Sequence, residues 1–351
     1  MFKKSLAAVA VLGAFAASSM AADVQLYGVV DYGMKYVNKA VVVNGDRDNN
    51  DAFTLDSGVN AASRIGFKAT EDLGNGYKVS FKLENGFDAD DGELGQDGRL
   101  FGREASLSVS SDWGTLSAGR MGAISAAAGT YDFMAMVDAF DGGDGDINGL
   151  VGTSRMDNML VYQSPKVAGL QLTAEYSFKN DNKVAKVEGK DSVEGHASAD
   201  RYAGIALTAD YGAFQAAASY EQILKSDKTL PGAENADAKI VMLGGNYNCG
   251  FATTFVAGQY FENFDNADGY ALHIGAQIPV YAGTMTTGLY YNDKDNGAVA
   301  GNSDYIGGSV KYEYPLSART LVYGSVGYGE EDAGAKTTET TQAYFGLTHK
   351  F

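Results

Sequence analysis

One acidic stretch of the sequence has the residue types of a calcium-binding loop. Asp144-Gly-Asp-Ile-Asn-Gly149 carries oxygen-bearing side chains at alternate positions, and Ca²⁺ prefers oxygen ligands. An EF-hand loop needs a bidentate Glu at its twelfth position, where this chain has Arg155. The sequence therefore does not predict an EF-hand, although calcium binding to the acidic stretch stays open as an alternative.

Other catalytic and metal-binding chemistry has little support in the sequence. His196, His273 and His349 lie far apart, and no nucleophile elbow, phosphate-binding loop or local Ser/His/acid arrangement is present. The formal net charge of −17 argues against binding to nucleic acid, because phosphates are neutralised by basic clusters. We therefore expect no catalytic residues, no metal, no cofactor and no nucleic-acid partner.

The elements that must position any functional residue follow a period of two. Between Leu170 and Phe178 the even positions are apolar, the odd positions are polar, and the same alternation recurs over 269–279, 283–292 and 305–314. Successive side chains of a strand point to opposite faces, so each segment has one apolar and one polar wall.

The whole chain divides into strands with connections between them. Asp, Asn, Gly and Pro mark tight links that alternate with longer polar links near 38–61, 89–100, 122–155, 180–199, 224–237, 263–268, 293–302 and 331–340. Alternate links of an up-and-down sheet lie at the same end, so one rim should carry tight turns and the other long loops. We predict sixteen strands, near 24–37, 62–71, 77–88, 101–111, 114–121, 156–164, 169–179, 200–211, 213–223, 238–248, 251–262, 269–279, 283–292, 303–315, 319–330 and 341–351.

These features predict an all-β fold, a 16-stranded antiparallel transmembrane β-barrel with short periplasmic turns and long extracellular loops. Lipid cannot satisfy backbone polar groups, so only helices and closed barrels span it, and sixteen strands enclose water. A soluble β-sandwich also alternates, but it would not need an even strand count. Aromatic residues near strand ends should form interface girdles, with Tyr27, Tyr77, Tyr176, Tyr220, Tyr247 and Tyr291 as candidates.

The beginning of the chain has the pattern of a secretory signal. Lys3 and Lys4 precede an apolar run that is too short to span a bilayer, and a small-x-small site follows. We expect residues 1–21 to be a cleaved signal peptide and residues 22–351 to be the barrel. The single Cys249 cannot form an intrachain disulfide.

Several motifs resemble one family. Val24–Asp31, Ser63–Gly76, Phe81–Phe87, Leu100–Ala105, Trp113–Arg120, Arg155–Pro165 and the ending Gly346–Phe351 run in order along the chain. In these motifs the chain resembles the general porins of Gram-negative bacteria, in particular the β-proteobacterial type. The resemblance implies a homotrimer in the outer membrane, in contact with lipid and lipopolysaccharide. It also implies that periplasmic chaperones and the barrel-assembly machinery act in biogenesis, with the terminal Phe351 as the assembly signal.

The resemblance further implies a constriction, in which the loop near 122–155 folds into the barrel and opposes acidic to basic groups. The acids of this loop would be Asp132, Asp138, Asp141, Asp144 and Asp146, and the basic wall would be Arg64, Arg103, Arg120 and Arg155. Strand alternation independently assigns Arg64 to the polar face, opposite Ile65. Arg103 is different, because Ala105, Leu107 and Val109 would share its face unless a bulge shifts the phase or this wall meets a neighbouring subunit.

The predicted function is passive diffusion of ions and small hydrophilic solutes through a water-filled outer-membrane channel. A substrate-specific channel with a saturable lumen site, and an adhesin or structural barrel that acts through its loops, remain alternatives. Acidic loops favour cations whereas the basic wall opposes them, and the composition leans toward cations without deciding the selectivity.

Overall fold

The computed structural model describes residues 24–181, 194–196, 198–225, 237–264, 266–296 and 301–351. The predicted signal peptide over 1–21 lies outside these ranges, so its boundary stays a prediction. Within the described ranges, no helix is both long and apolar enough to cross a membrane.

Antiparallel strands form one sheet that closes on itself, because the first strand pairs with the last. A separate hairpin of two short strands, Gly143–Asp144 and Ile147–Asn148, and short helical turns at Gly95–Gly98 and Met134–Val137 lie in the connections. In chain order the strands are β1 (Gln25–Val43), β2 (Asp46–Ser57), β3 (Arg64–Gly74), β4 (Tyr77–Gly86), β5 (Glu104–Ser111), β6 (Gly114–Gly122), β7 (Gly143–Asp144), β8 (Ile147–Asn148), β9 (Arg155–Gln163), β10 (Leu170–Ser177), β11 (Arg201–Asp210), β12 (Phe214–Leu224), β13 (Ala238–Asn248), β14 (Thr253–Phe264), β15 (Ala267–Val280), β16 (Gly283–Asp295), β17 (Asn302–Pro315), β18 (Thr320–Ala333) and β19 (Lys336–Lys350).

The second barrel strand is interrupted. β2 pairs with the C-terminal part of β1, from Tyr32 to Val43, and β3 pairs with the N-terminal part of β1, from Gln25 to Val29. Counted as one strand, β2 and β3 give the predicted sixteen-stranded barrel, which is confirmed. The chain between them, residues 58–63, leaves the sheet.

One rim of the barrel differs from the prediction. The links expected near 38–61, 263–268 and 331–340 are mostly strand, because β1, β2, β14, β15, β18 and β19 continue past the expected ends. Asn44 and Gly45 both have positive φ, of 52° and 90°, which is the backbone of the tight Asn-Gly hairpin turn. Such a turn matches strand twist, so the polar segments around it stay paired instead of forming a loop.

Apolar side chains cover the outer face of the barrel. Leu243, Val256 and Ile274 are more than 60% exposed, whereas the polar Thr173 and Glu175 are buried on the inner face. The predicted alternation is therefore confirmed in these strands. The interface candidates Tyr77, Tyr220 and Tyr247 are exposed.

Tyr27 corrects the predicted girdle. Its hydroxyl donates a hydrogen bond of 2.8 Å to Glu84, and its ring lies against Gly66 on the inner face. The neighbouring Leu26 is the exposed residue at this point of β1. The alternation of β1 thus turns Leu26 outward and Tyr27 inward, so Tyr27 cannot belong to an outer girdle.

Candidate pore constriction

The longest connection between barrel strands, residues 123–154 between β6 and β9, lies inside the barrel. The first half of this loop packs apolar side chains such as Ile124, Met134 and Val137 against the inner faces of β11 to β15. Farther along, the amide of Gln259 on β14 donates to the Val151 carbonyl at 2.6 Å. The loop therefore crosses the interior, where the sequence predicted a constriction loop over 122–155.

Three acids of the loop serve as acceptors for wall donors. The hydroxyl of Tyr290 donates to buried Asp138 at 2.8 Å, and the hydroxyls of Ser325 and Tyr344 donate to buried Asp144. Asp146 lies 2.6 Å from Lys35 and 3.1 Å from Lys39 of β1.

The expectation that all five loop acids face the arginines therefore needs correction for Asp138, Asp144 and Asp146. A loop that crosses a barrel interior must satisfy buried polar groups, and carboxylates bonded to wall hydroxyls and ammonium groups do so. These three acids anchor the loop to β1, β16, β18 and β19.

Asp132 and Asp141 form a close pair within the loop. Both accept the backbone N–H of Ala128, at 2.9 and 3.2 Å. Burial, together with the neighbouring carboxylate, raises the pKa of Asp132 to about 8, and burial raises the pKa of Asp141 to about 6. Both carboxyl groups are therefore protonated more readily than an exposed aspartate.

The four predicted arginines come together on the wall made by β3, β4, β5, β6 and β9. The Nε of Arg155 donates to the Arg103 carbonyl at 3.0 Å. Arg103 is within electrostatic reach of both Arg64 and Arg155, and Arg120 is within reach of Arg155. Consecutive strand pairing creates this cluster, which we call the arginine wall.

Two members of the arginine wall are held by acids on the same wall. Arg103 lies 2.7 Å from Glu84, and Arg120 lies 2.6 Å from Asp157.

The other two members, Arg64 and Arg155, donate to backbone carbonyls. Arg64 donates to the Ala62 carbonyl at 2.9 Å, and among the described residues no carboxylate lies within ion-pair distance of Arg64 or Arg155. These two guanidinium groups therefore leave positive charge in excess at the wall.

Arg103 precedes its strand, which resolves the phase problem noted in the sequence. β5 begins at Glu104, and Glu104 and Ser106 are buried on the inner face, while Leu107 is exposed. Of the alternatives left open for Arg103, a shift of phase is the one observed, because Leu107 does not share the face of Arg103. The backbone changes direction between Arg103 and Glu104, so consecutive residues both turn inward.

Several charged residues of this site were missed by sequence reasoning. Lys82 lies 2.8 Å from Glu104, and Arg99 lies 2.5 Å from Asp181 and 3.4 Å from Asp157. Lys82 and Glu84 alternate with Phe81 and Leu83 in a predicted strand, so their inward direction was available from the pattern. Arg99 lies outside any strand, where no such pattern exists.

The C-terminus lies at the seam between the first and last strands. The backbone of Phe351 exchanges hydrogen bonds of 3.0 and 3.1 Å with Gly28, and its ring lies on that glycine. Its role as an assembly signal stays a prediction. Among the described residues no three His, Cys, Asp or Glu side chains are grouped as metal ligands, and the expectation of no metal likewise stays a prediction.

The chain is similar in sequence to known outer-membrane porins. A family model described as Gram-negative porin matches residues 7–335. The chain is 31% identical to an outer membrane porin protein of Bordetella pertussis, over 99% of this chain and 100% of that protein. It is 28% identical to outer membrane porin protein 32 of Delftia acidovorans, over 98% and 94% of the two chains.

Solved structures share the fold. An anion-selective porin from Comamonas acidovorans superposes with a TM-score of 0.68 at 23% identity, covering 94% of this chain and 100% of that one. The trimer form of in-vitro folded OmpT of Vibrio cholerae has a TM-score of 0.63 at 18% identity, covering 93% and 99%.

Proposed function

The chain belongs to the Gram-negative porin family, and we propose that the arginine wall is the selectivity filter of its outer-membrane diffusion channel. Porins of this family are passive channels for ions and small hydrophilic solutes. The observation that carries the proposal is the excess positive charge of Arg64 and Arg155, beside Arg103 and Arg120, across from a loop inside the barrel. That the chain has no enzymatic activity stays a prediction.

The filter should prefer anions. Opposed walls at a narrow gap create a strong local field, and a ring of one sign biases which ions enter. The composition leans toward cations because of the loop acids. Asp146, however, is paired with Lys35 and Lys39. Asp138 and Asp144 are buried against wall hydroxyls. The anion-selective porin from Comamonas acidovorans, which shares the fold, is consistent with this direction.

Reversal potentials across planar bilayers test the proposal. Under a KCl gradient we expect wild-type channels to prefer chloride, and we expect Arg64→Gln and Arg155→Gln each to shift the potential toward cations. Arg47→Gln is the matched control. Arg47 lies on β2 near the Asn44-Gly45 turn of the β1–β2 hairpin, which we call the extended hairpin, and it pairs with Glu339 of β19, away from the arginine wall. Unchanged potentials in both filter variants, with normal conductance, would show that the arginine wall does not line the conducting gap.

We also infer that the channel is a homotrimer in contact with outer-membrane lipid and lipopolysaccharide. The trimer form of a structural relative and the exposed apolar outer face support this inference. An SDS-resistant oligomer that dissociates to monomers on heating is the expected result, whereas a monomer in mild detergent at all concentrations would contradict it.

Biogenesis through periplasmic chaperones and the barrel-assembly machinery is part of the same proposal. The contact of Phe351 with Gly28 at the barrel seam supports a role for the last residue in closure. Deletion of Phe351 should lower the amount of folded protein in the outer membrane. Full assembly of the deletion variant would remove Phe351 as the signal.

A further inference from the structure

A second segment of the chain enters the barrel interior. Residues 58–63, which we call the inner bulge, connect β2 to β3. Tyr32 pairs with Ser57 and Val29 pairs with Arg64, so six residues of the inner bulge stand opposite only two of β1. The sequence predicted most of this segment within an external loop over 38–61, and it is instead an inward insertion in a barrel strand.

Asp31 of β1 holds the inner bulge in place through hydrogen bonds. Its carboxylate accepts the Asn60 backbone N–H at 3.1 Å and the Tyr323 hydroxyl at 3.0 Å, and Thr348 donates to its other oxygen. Its carbonyl accepts the Gly58 N–H at 3.0 Å. Asp31 is fully buried, so it holds the inner bulge against three wall strands.

The side chain of Asn60 reaches across the interior to β17. Its amide donates to Glu313 at 2.9 Å, and Lys311 donates to its oxygen, also at 2.9 Å. The strand order from β3 through β1, β19 and β18 to β17 separates these partners, so the inner bulge covers a broad sector of the inner wall.

Lys311 joins the inner bulge to the loop of residues 123–154. Its Nζ lies 5.4 Å from the centroid of the Phe140 ring, within cation–π distance. At the other end, the Ala62 carbonyl accepts Arg64 of the arginine wall at 2.9 Å. The inner bulge therefore contacts the arginine wall through a hydrogen bond, and it reaches the loop through Lys311 and its cation–π contact with Phe140.

We propose that the inner bulge is a second narrowing element of the channel, in which Asn60, Lys311 and Glu313 form a polar site that limits solute size. The proposal rests on the proposed channel function, because narrowing has a consequence only where solutes pass. Ala62 is exposed to the interior and Asn60 is half-buried, so both reduce the cross-section that water can fill. Conductance and the size of admitted solutes depend on that cross-section and on the polar groups that line it.

Removal of Val59–Ala62 is the direct test. The deletion leaves Gly58 and Ser63 opposite the two residues of β1, so regular strand pairing can continue. We expect single-channel conductance to rise about 1.5-fold, with larger neutral sugars admitted in proteoliposome swelling assays.

Point variants keep the proposal testable if the deletion variant does not assemble. Asn60→Ala should raise conductance by a smaller amount, and Lys311→Met should shift the reversal potential toward cations. Asn49→Ala is the matched control, because Asn49 is exposed on β2 near Arg47 of the extended hairpin. Its conductance should equal that of the wild type.

The outcomes separate this inference from the channel function. A folded wild-type protein that does not conduct overturns the proposed function. Conducting wild type, with unchanged conductance and sugar cutoff in the folded deletion variant or in Asn60→Ala, overturns the second narrowing and leaves the channel function intact.

Discussion

The guanidinium of Arg103 and the carboxylate of Glu84 lie 2.7 Å apart, and both side chains are buried on the inner wall. Glu84 also accepts the Tyr27 hydroxyl at 2.8 Å and lies 3.7 Å from Lys82. One carboxylate thus connects β1, β4 and the segment that precedes β5. It sets both the charge and the geometry of the arginine wall.

Glu84→Gln should strengthen anion preference and weaken the barrel. The variant keeps the shape of the side chain but leaves Arg103 without its counter-charge, and losing one partner of a buried pair costs about 3 kcal/mol. We expect a reversal potential shifted toward anions and a lower urea midpoint for unfolding in lipid vesicles. Glu330→Gln, whose partner Tyr328 is exposed, is the control. A wild-type urea midpoint for Glu84→Gln would contradict this assignment.

The direction of wall side chains could be predicted from the sequence where a strict period of two held. Arg64 was assigned to the polar face in this way, and the same pattern contained the direction of Lys82, although it was not used. Arg103 precedes its strand, and the inner bulge inserts extra residues into one, so no period crosses either position. Their direction is set by tertiary contacts with Glu84 and Asp31, which a local pattern does not contain.

The links at the external rim, which were predicted as long loops, differ from the structure for another reason. Asn44-Gly45 is a hairpin signal that the sequence contains, and it predicts a tight turn between continuing strands. Polar composition alone favoured a loop there, although strands that extend beyond the lipid need no apolar face. Turn chemistry is the better guide once a strand leaves the membrane.

The loop pair Asp132 and Asp141 should make the constriction sensitive to pH. Burial and the neighbouring carboxylate raise the pKa of Asp132 from its ordinary value of 3.8 to about 8. The folded loop therefore binds more protons than an unfolded one, so its stability falls as pH rises from 3.8 to about 8. We expect noisier single-channel currents above pH 8 than at pH 6.

Asp132→Asn removes the titrating member of the pair and keeps one of the two side-chain oxygens that accept the backbone N–H groups of Ala128 and Met134. Its current noise should vary much less between pH 6 and pH 9 than that of the wild type. Exposed Asp48→Asn serves as the control and should retain the wild-type dependence. A persistent rise of noise in Asp132→Asn would assign the pH dependence to another group.

Tyr202→Phe should weaken the attachment of the start of the loop of residues 123–154 to the barrel wall. The Tyr202 hydroxyl donates to buried Glu221 at 2.8 Å and accepts the Ile124 N–H at 3.3 Å. Buried polar groups left without a partner cost about 1–3 kcal/mol, so the free energy of unfolding should fall by that amount. Tyr220→Phe is the matched control, because its exposed hydroxyl contacts only Gln222 among the described residues. Equal urea midpoints for the two variants would show that Tyr202 does not secure the loop.

Gly28→Ala should impair closure of the barrel. A Cβ at this position would lie 2.3 Å from the Phe351 ring and 2.7 Å from the Arg64 carbonyl, and the backbone atom cannot move away without shifting β3. Such overpacking costs about 1–3 kcal/mol, so less folded protein should reach the outer membrane. At Gly324 the nearest heavy atoms to an added Cβ lie 3.6 and 4.0 Å away, so Gly324→Ala should assemble normally. If Gly28→Ala assembles as well as Gly324→Ala, close packing of Phe351 and Arg64 against Gly28 does not limit closure of the barrel.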